Sequence, residues 1–174
     1  MTKAQTHQIV VQENDLWETP KLLLDLKLKE LNIKPTIDVF ASKDNHKFSK
    51  YYTQEDSAFN HEITETFFAN PEYSNITESM KFLYNQHLKH NVTGVILVFA
   101  KTSVKWWHKF VEGKAETYFQ KGRIRFLLNG IEPRYCKHCH LRIIENVKVC
   151  IQCSRNVGKS SSTYDSVWLV YRKK

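Results

Sequence analysis

The residues Gly94-Val95-Ile96-Leu97-Val98-Phe99-Ala100 carry no polar side chain. So short an apolar run, closed by the polar triplet Lys101-Thr102-Ser103, reads as a β-strand buried on both faces. A strand with no solvent face needs a layer above and a layer below it. That requirement points to an α/β architecture with a largely parallel sheet.

The rest of the chain supplies candidates for those layers. Thr36–Ala41 and Thr64–Ala69 read as two more buried strands, and Thr117–Gln120, Arg123–Leu128 and Val167–Tyr171 as later ones. The hairpin-like spacing of the later strands predicts an antiparallel edge. Leu22, Leu23, Leu26 and Leu31 give a helix over 20–31, with Thr19 as N-cap and Pro20 at the first helical position. Asn75-Ile76-Thr77-Glu78 has the pattern of a capping box opening a helix to His90. A further helix over 104–112 carries Trp106, Trp107 and Phe110. Residues 1–14 are polar and are expected to be loosely ordered. No internal repeat or low-complexity tract is present.

With 174 residues and 41% hydrophobic composition, the chain can form one domain with a core and a small appendage. No apolar run approaches the roughly 20 residues that span a bilayer, and the first residues lack a signal-peptide core. The expectation is a protein that is not secreted and has no membrane partner, in a prokaryotic or viral-host cytoplasm. The net charge of +8 is uneven: residues 136–174 hold eight Lys/Arg against two acids, and residues 1–135 hold eighteen against sixteen. A basic C-terminal quarter predicts a polyanionic partner, most simply nucleic acid; a solvated basic face is the bland alternative.

All four cysteines fall in that quarter, as Cys136-x-x-Cys139 and Cys150-x-x-Cys153. Two such knuckles ten residues apart can set four thiolates around a structural Zn²⁺. The segment is too short for its own apolar core, so metal binding would supply folding free energy. Disulfides are disfavoured without an export signal. His138 and His140 are alternative ligands or knuckle-surface residues. The module reads as an insertion, 136–163, into a domain formed by 1–135 and 164–174. It would hold Lys137, Arg142, Lys148 and Arg155 against phosphates or serve as a protein-docking tab.

The strand over 64–69 runs into Asn70-Pro71-Glu72-Tyr73-Ser74. An Asn-Pro-x-Tyr strand end brings together a carboxamide oxygen, a backbone carbonyl and an aromatic face. Asn70 Oδ1 and the Pro71 carbonyl can accept both hydrogens of an exocyclic amine, and Tyr73 can stack on the ring that carries it. Asn-Pro also opens ordinary turns, so the order of the other motifs matters.

That order resembles the phage-type Dam DNA N6-adenine methyltransferases. Trp17-x-Thr19-Pro20, Ile37-Asp38-Val39-Phe40-Ala41-Ser42, Asn45, Tyr52-Thr53, Glu55-Asp56-Ser57, Asn70-Pro71-Glu72-Tyr73-Ser74 and Lys121-Gly122-Arg123-Ile124-Arg125-Phe126 resemble that family's motifs in sequence order. The resemblance covers about 15–130 and the last strand; the cysteine module is an addition to it. It implies a Rossmann-like fold, S-adenosylmethionine (SAM) as methyl donor, and N6 of adenine as acceptor. It further implies that Asn70, Pro71 and Tyr73 form the base pocket. Trp17, Pro20, Asp38, Ala41 and Asp56 would lie along the cofactor. Glu72 stands where the family has a second proline, which frees φ and adds a charge. Ala41 and Ser42 stand where many cofactor loops use glycine. An RNA or cytosine-N4 methyltransferase, or a catalytically weak or inactive nucleic-acid-binding scaffold, would share these residues. The oligomeric state is not encoded in any of them.

Overall fold

In the computed structural model, residues 17–143, 147–159 and 162–174 are described; the polar segment 1–14 lies outside them. Three helices and nine strands are named: α1 (Lys21–Leu31), β1 (Ile37–Asp38), β2 (Lys50–Tyr51), β3 (Phe67–Ala69), α2 (Ile76–His90), β4 (Gly94–Phe99), α3 (Lys105–Phe110), β5 (Glu116–Phe119), β6 (Arg134–Tyr135), β7 (Arg142–Ile143), β8 (Gly158–Lys159) and β9 (Ser166–Tyr171).

The main sheet has the order β2-β1-β3-β4-β9-β5. Strands β2, β1, β3 and β4 run parallel, and β9 lies antiparallel between β4 and β5. The expected α/β class, mainly parallel with an antiparallel edge, is what forms. Strand β4 is central, and Val95, Ile96, Leu97 and Val98 are fully buried.

Alternation along each strand divides the core into two layers. Phe67, Ala69, Ile96, Val98, Val167, Leu169 and Tyr171 face one way and meet Met80 and Leu83 of α2 and Trp106 and Trp107 of α3. Phe68, Val95, Leu97, Trp168 and Val170 face the other way, against Leu24, Leu28 and Leu31 of α1. Gly94 opens β4 because the Phe67 ring lies where a side chain would sit: a Cβ there would come within 2.2 Å of it.

Three local expectations are corrected. Helix α1 buries Leu24, Leu28 and Leu31, while Leu22 and Leu26, expected on its inner face, are exposed. Residues 123–128 form no strand of the main sheet. Ile124 and Phe126 cover the α1 face of the sheet, and the segment is pinned by paired backbone bonds between Glu18 and Leu127, 2.8 and 2.9 Å. An extended cover and a strand share the same alternating pattern, so periodicity does not separate them. The helix caps also differ. Pro20 is the N-cap of α1, and Thr19 is buried and makes no cap bond. Asn75 makes no side-chain cap bond either, because a 3₁₀ turn over Tyr73–Asn75 leads directly into α2.

The cysteine segment forms a separate three-stranded sheet, β7-β6-β8. Its small core is Cys136, Ile143 and Cys150, with Leu141, Val147 and Val157 against them.

Candidate active site

Strand order reverses between β1 and β3. From β1 the chain moves outward to β2, then returns to place β3 on the other side of β1. At such a reversal the loops leaving neighbouring strands diverge, and a crevice opens beyond their C-terminal ends. A cavity of about 390 Å³ occupies this place, within the size range of pockets that take cofactor-sized ligands.

Its walls come from distant segments: Trp17–Thr19, Asp38 and the loop to Lys47, Thr53–Glu55 with Ser57–Phe59, Asn70 with Glu72, and Asn129. Five acids (Glu18, Asp38, Asp44, Glu55, Glu72) but only one base (Lys47) line it, although the whole chain carries +8. Such a lining favours a cationic ligand and disfavours a phosphate.

Asp38 ends β1 and is buried. Its Oδ2 accepts the Lys47 backbone N–H at 2.9 Å, and its Oδ1 has no partner. Burial raises its carboxyl to about 7, against the opposing effect of the Lys47 N–H and charge. Burial likewise pushes the Lys47 ammonium below its usual range. The Lys47 Nζ takes Asn45 Oδ1 at 2.7 Å and stands 4.0 Å from Glu18 Oε2.

Asn70 follows the last residue of β3. Its Nδ2 donates to the Trp17 carbonyl at 3.5 Å, which orients the amide. The other end, Oδ1, is buried with no hydrogen-bond partner. An unpaired buried amide oxygen costs about 1–3 kcal/mol, so it marks an acceptor held ready for a donor that is not part of the fold. Glu72, where the family pattern has proline, accepts from Gln54 Nε2 at 2.6 Å. That bond ties the Asn-Pro loop to the 53–59 loop across the cavity.

Trp17, Asp38, Ala41 and Asn70 thus meet at one cavity. The remaining expected residues stand beside it. Pro20 caps α1, and Pro71 is buried directly after Asn70. Tyr73 stacks one face on Phe99, centroids 4.0 Å apart and planes 7° from parallel; burial raises its hydroxyl far above the usual range. Asp56 is turned away from the cavity by a Thr53 turn, with Thr53 Oγ1 taking its N–H at 3.2 Å, and it meets His61 Nε2 at 2.6 Å. Glu55 and Ser57 line the wall instead. Sequence reasoning did not find Glu18, Lys47, Gln54 or Asn129. Only Asn129-Gly130 carries a signal, a turn dipeptide, with Asn129 at φ 51°.

The four cysteines are free thiols whose sulfurs all lie within 4.8 Å of one another. Four ligands at a zinc–sulfur distance of about 2.3 Å would stand about 3.8 Å apart, so the set fits a tetrahedral ion. The two knuckles are built alike. The His140 N–H bonds the Cys136 carbonyl at 2.9 Å, and the Ser154 N–H bonds the Cys150 carbonyl at 2.8 Å. Both His140 and Ser154 take the left-handed conformation. The Cys139 backbone N–H directed at the Cys136 sulfur helps hold that thiol below its usual range, while burial pushes the Cys139 thiol up. His140 Nδ1 is bonded to the Tyr135 hydroxyl at 2.8 Å, and among the described residues the group placed to hold a metal is the four cysteines, without His138 or His140.

An α/β layer with an acid-lined crevice at its strand reversal, and an idle amide at the rim, is the layout of a ligand-binding enzyme domain. The sequence comparison names the kind. The family model for Dam, DNA N-6-adenine-methyltransferase, matches residues 5–148, and the chain belongs to this family of DNA adenine methyltransferases. A curated relative, the DNA N-6-adenine-methyltransferase of Haemophilus phage HP1 (strain HP1c1), is 30% identical over 131 residues, 74% of each chain. The family match takes in Cys136 and Cys139, while Cys150, Cys153 and β9 lie beyond it. Among the described residues no helix is long and apolar enough to cross a membrane.

Proposed function

We propose that this chain transfers a methyl group from SAM to the exocyclic N6 of adenine in DNA, on a Rossmann-like methyltransferase domain formed by residues 1–135 and 164–174. The observation that carries the reading is Asn70 Oδ1, buried and unpartnered at the rim of the acid-lined cavity. Family membership supports the same acceptor.

The cavity suits SAM by charge. The cofactor's sulfonium and ammonium are both cationic, and Asp38 Oδ1 is an unused acceptor among five acids. Asp38, Ala41 and Trp17 would hold it, with Phe40 supplying an apolar wall and Glu55 a further acceptor. When bound, SAM supplies an electrophilic methyl group.

The protein's part is alignment and charge. Adenine N6 is a poor nucleophile because its lone pair is delocalised into the ring. Asn70 Oδ1 and the Pro71 carbonyl accept the two N–H bonds, which draws the nitrogen toward a tetrahedral shape and localises that pair. The same oxygens stabilise the positive charge that grows on the nitrogen. Holding the amine in line with the methyl group supplies much of the remaining rate. Tyr73, braced on Phe99, would present its second face to the extruded base. No strong base is required.

The segment 136–163 is read as a zinc-ribbon insertion whose Cys136, Cys139, Cys150 and Cys153 hold a structural Zn²⁺, and whose basic residues contact DNA. A separating experiment is Asn70→Ala, assayed for labelled methyl transfer and, independently, for SAM binding by calorimetry. Transfer should fall at least a hundredfold, as for loss of a donor or acceptor aimed at transition-state charge, with the SAM Kd nearly unchanged. Retained turnover would reject the pocket assignment.

A further inference from the structure

Along the C-terminal edge of the sheet the order is β1, β3, β4. Asp38 closes β1, Asn70 follows β3, and Lys101 follows β4, so Asn70 stands between an acidic side and a basic one. The acidic side holds Asp38, Asp44 and Glu55. The basic side is built with some care. The Lys101 N–H bonds the Phe99 carbonyl at 2.8 Å, a tight turn that fixes where the side chain leaves the strand. The Lys101 ammonium lies 4.6 Å from the centroid of the Tyr164 ring. Tyr164 packs on Phe99 at 5.4 Å, and Phe99 is the ring that stacks on Tyr73. Tyr164 is held in turn by the Ser162 hydroxyl on its carbonyl, 2.7 Å, and Asp165 next to it is bonded to Ala100 through its carbonyl, 2.8 Å.

Lys101 makes no ion pair among the described residues. Arg123, by contrast, stands 3.7 Å from Asp165, the residue after Tyr164. A half-buried lysine parked over an aromatic face, beside the loop that would grip a base, is a cation without a counterion among the described residues.

We propose that Lys101, positioned by Tyr164, is a phosphate anchor for the DNA strand that carries the target adenine. This rests on the methyltransferase reading and adds the side from which DNA arrives. The polyanion is excluded from the five-acid cavity and engages the β4 side, while a cationic ligand takes the β1 side. The Tyr73–Phe99–Tyr164 ring series connects the anchor to the base pocket, so that neutralising the phosphate and seating the base are one event. The electrostatic gain does not depend on sequence, as expected of a backbone contact.

The test is equilibrium binding of the full-length protein to a fluorescein-labelled mixed-sequence duplex across a salt series. Each phosphate neutralised steepens the slope of log K against log salt by about 0.9. Lys101→Ala should lower the slope by about that amount and weaken binding several-fold at low salt. SAM affinity should be unchanged. Lys101→Arg should restore the slope, and Tyr164→Ala should lose part of the affinity that Tyr164→Phe retains. A Lys101→Ala slope equal to that of the unmodified protein overturns the proposal, as does an equal loss in Lys101→Arg. Binding slopes need no turnover, so failure here is distinct from failure of the adenine reading, which would be an absence of methylated adenine in wild-type product.

Discussion

Asp38 holds its proton more tightly in the folded chain than in the unfolded one, because burial lifts its carboxyl from the usual 3.8 to about 7. The sign follows from linkage. Its stabilising contribution is complete below about pH 4 and is lost as pH rises through 7. A cationic ligand reverses that preference by favouring the carboxylate. SAM affinity should therefore increase between pH 6 and 8, by at most about tenfold per unit below pH 7. Asp38→Asn should flatten this profile, and it should be more resistant to denaturant than the parent at pH 8. Parallel binding profiles for the two proteins would remove Asp38 from the cofactor site. At this scale Asn70 and Asp38 were legible because each ends an apolar strand, where side chains emerge at the sheet edge. Glu55 rather than the expected Asp56 lines the cavity, and the Thr53 hydroxyl takes the Asp56 N–H in the turn between them, a detail the sequence does not carry. Glu18 and Lys47 were not legible, because their partners, the Gly130 N–H at 3.0 Å and Asp38, come from remote segments or from backbone atoms.

Elements with a strong period were readable: β3, β4, β9, α1 and α2 form close to their expected bounds, although α1 turns Leu24 and Leu28 inward where Leu22 and Leu26 were expected. Strand β2 was not, because Lys50–Tyr51 is short, polar and largely exposed, and pairs only as an edge beside β1. The gathering of the four cysteines was readable from spacing alone. Native mass spectrometry should find one zinc per chain, and Cys136→Ser should lose it. The mutant should also lose ordered structure in the β6–β8 sheet while the main sheet stays folded. Full retention of zinc, or an apo-protein with unchanged protection of β6–β8 from hydrogen exchange, would contradict the four-sulfur site.

Over the whole molecule, charge is sorted rather than averaged. The cysteine-bearing quarter is basic in sequence and the crevice is acidic; on the proposed reading, Asn70 stands at the crevice rim between the cofactor side and the Lys101 side. A cationic donor and a polyanionic acceptor can then approach from opposite sides without competing for one surface. The class of fold was visible from strand and helix order. The sorting was not, because it depends on which of many charged loops close over the crevice. The most direct measurement is to incubate the protein with SAM and DNA of varied sequence, digest to nucleosides, and identify the product by mass spectrometry. The account predicts N6-methyldeoxyadenosine. Methyl groups found only on cytosine, only in RNA, or on no base at all would contradict it.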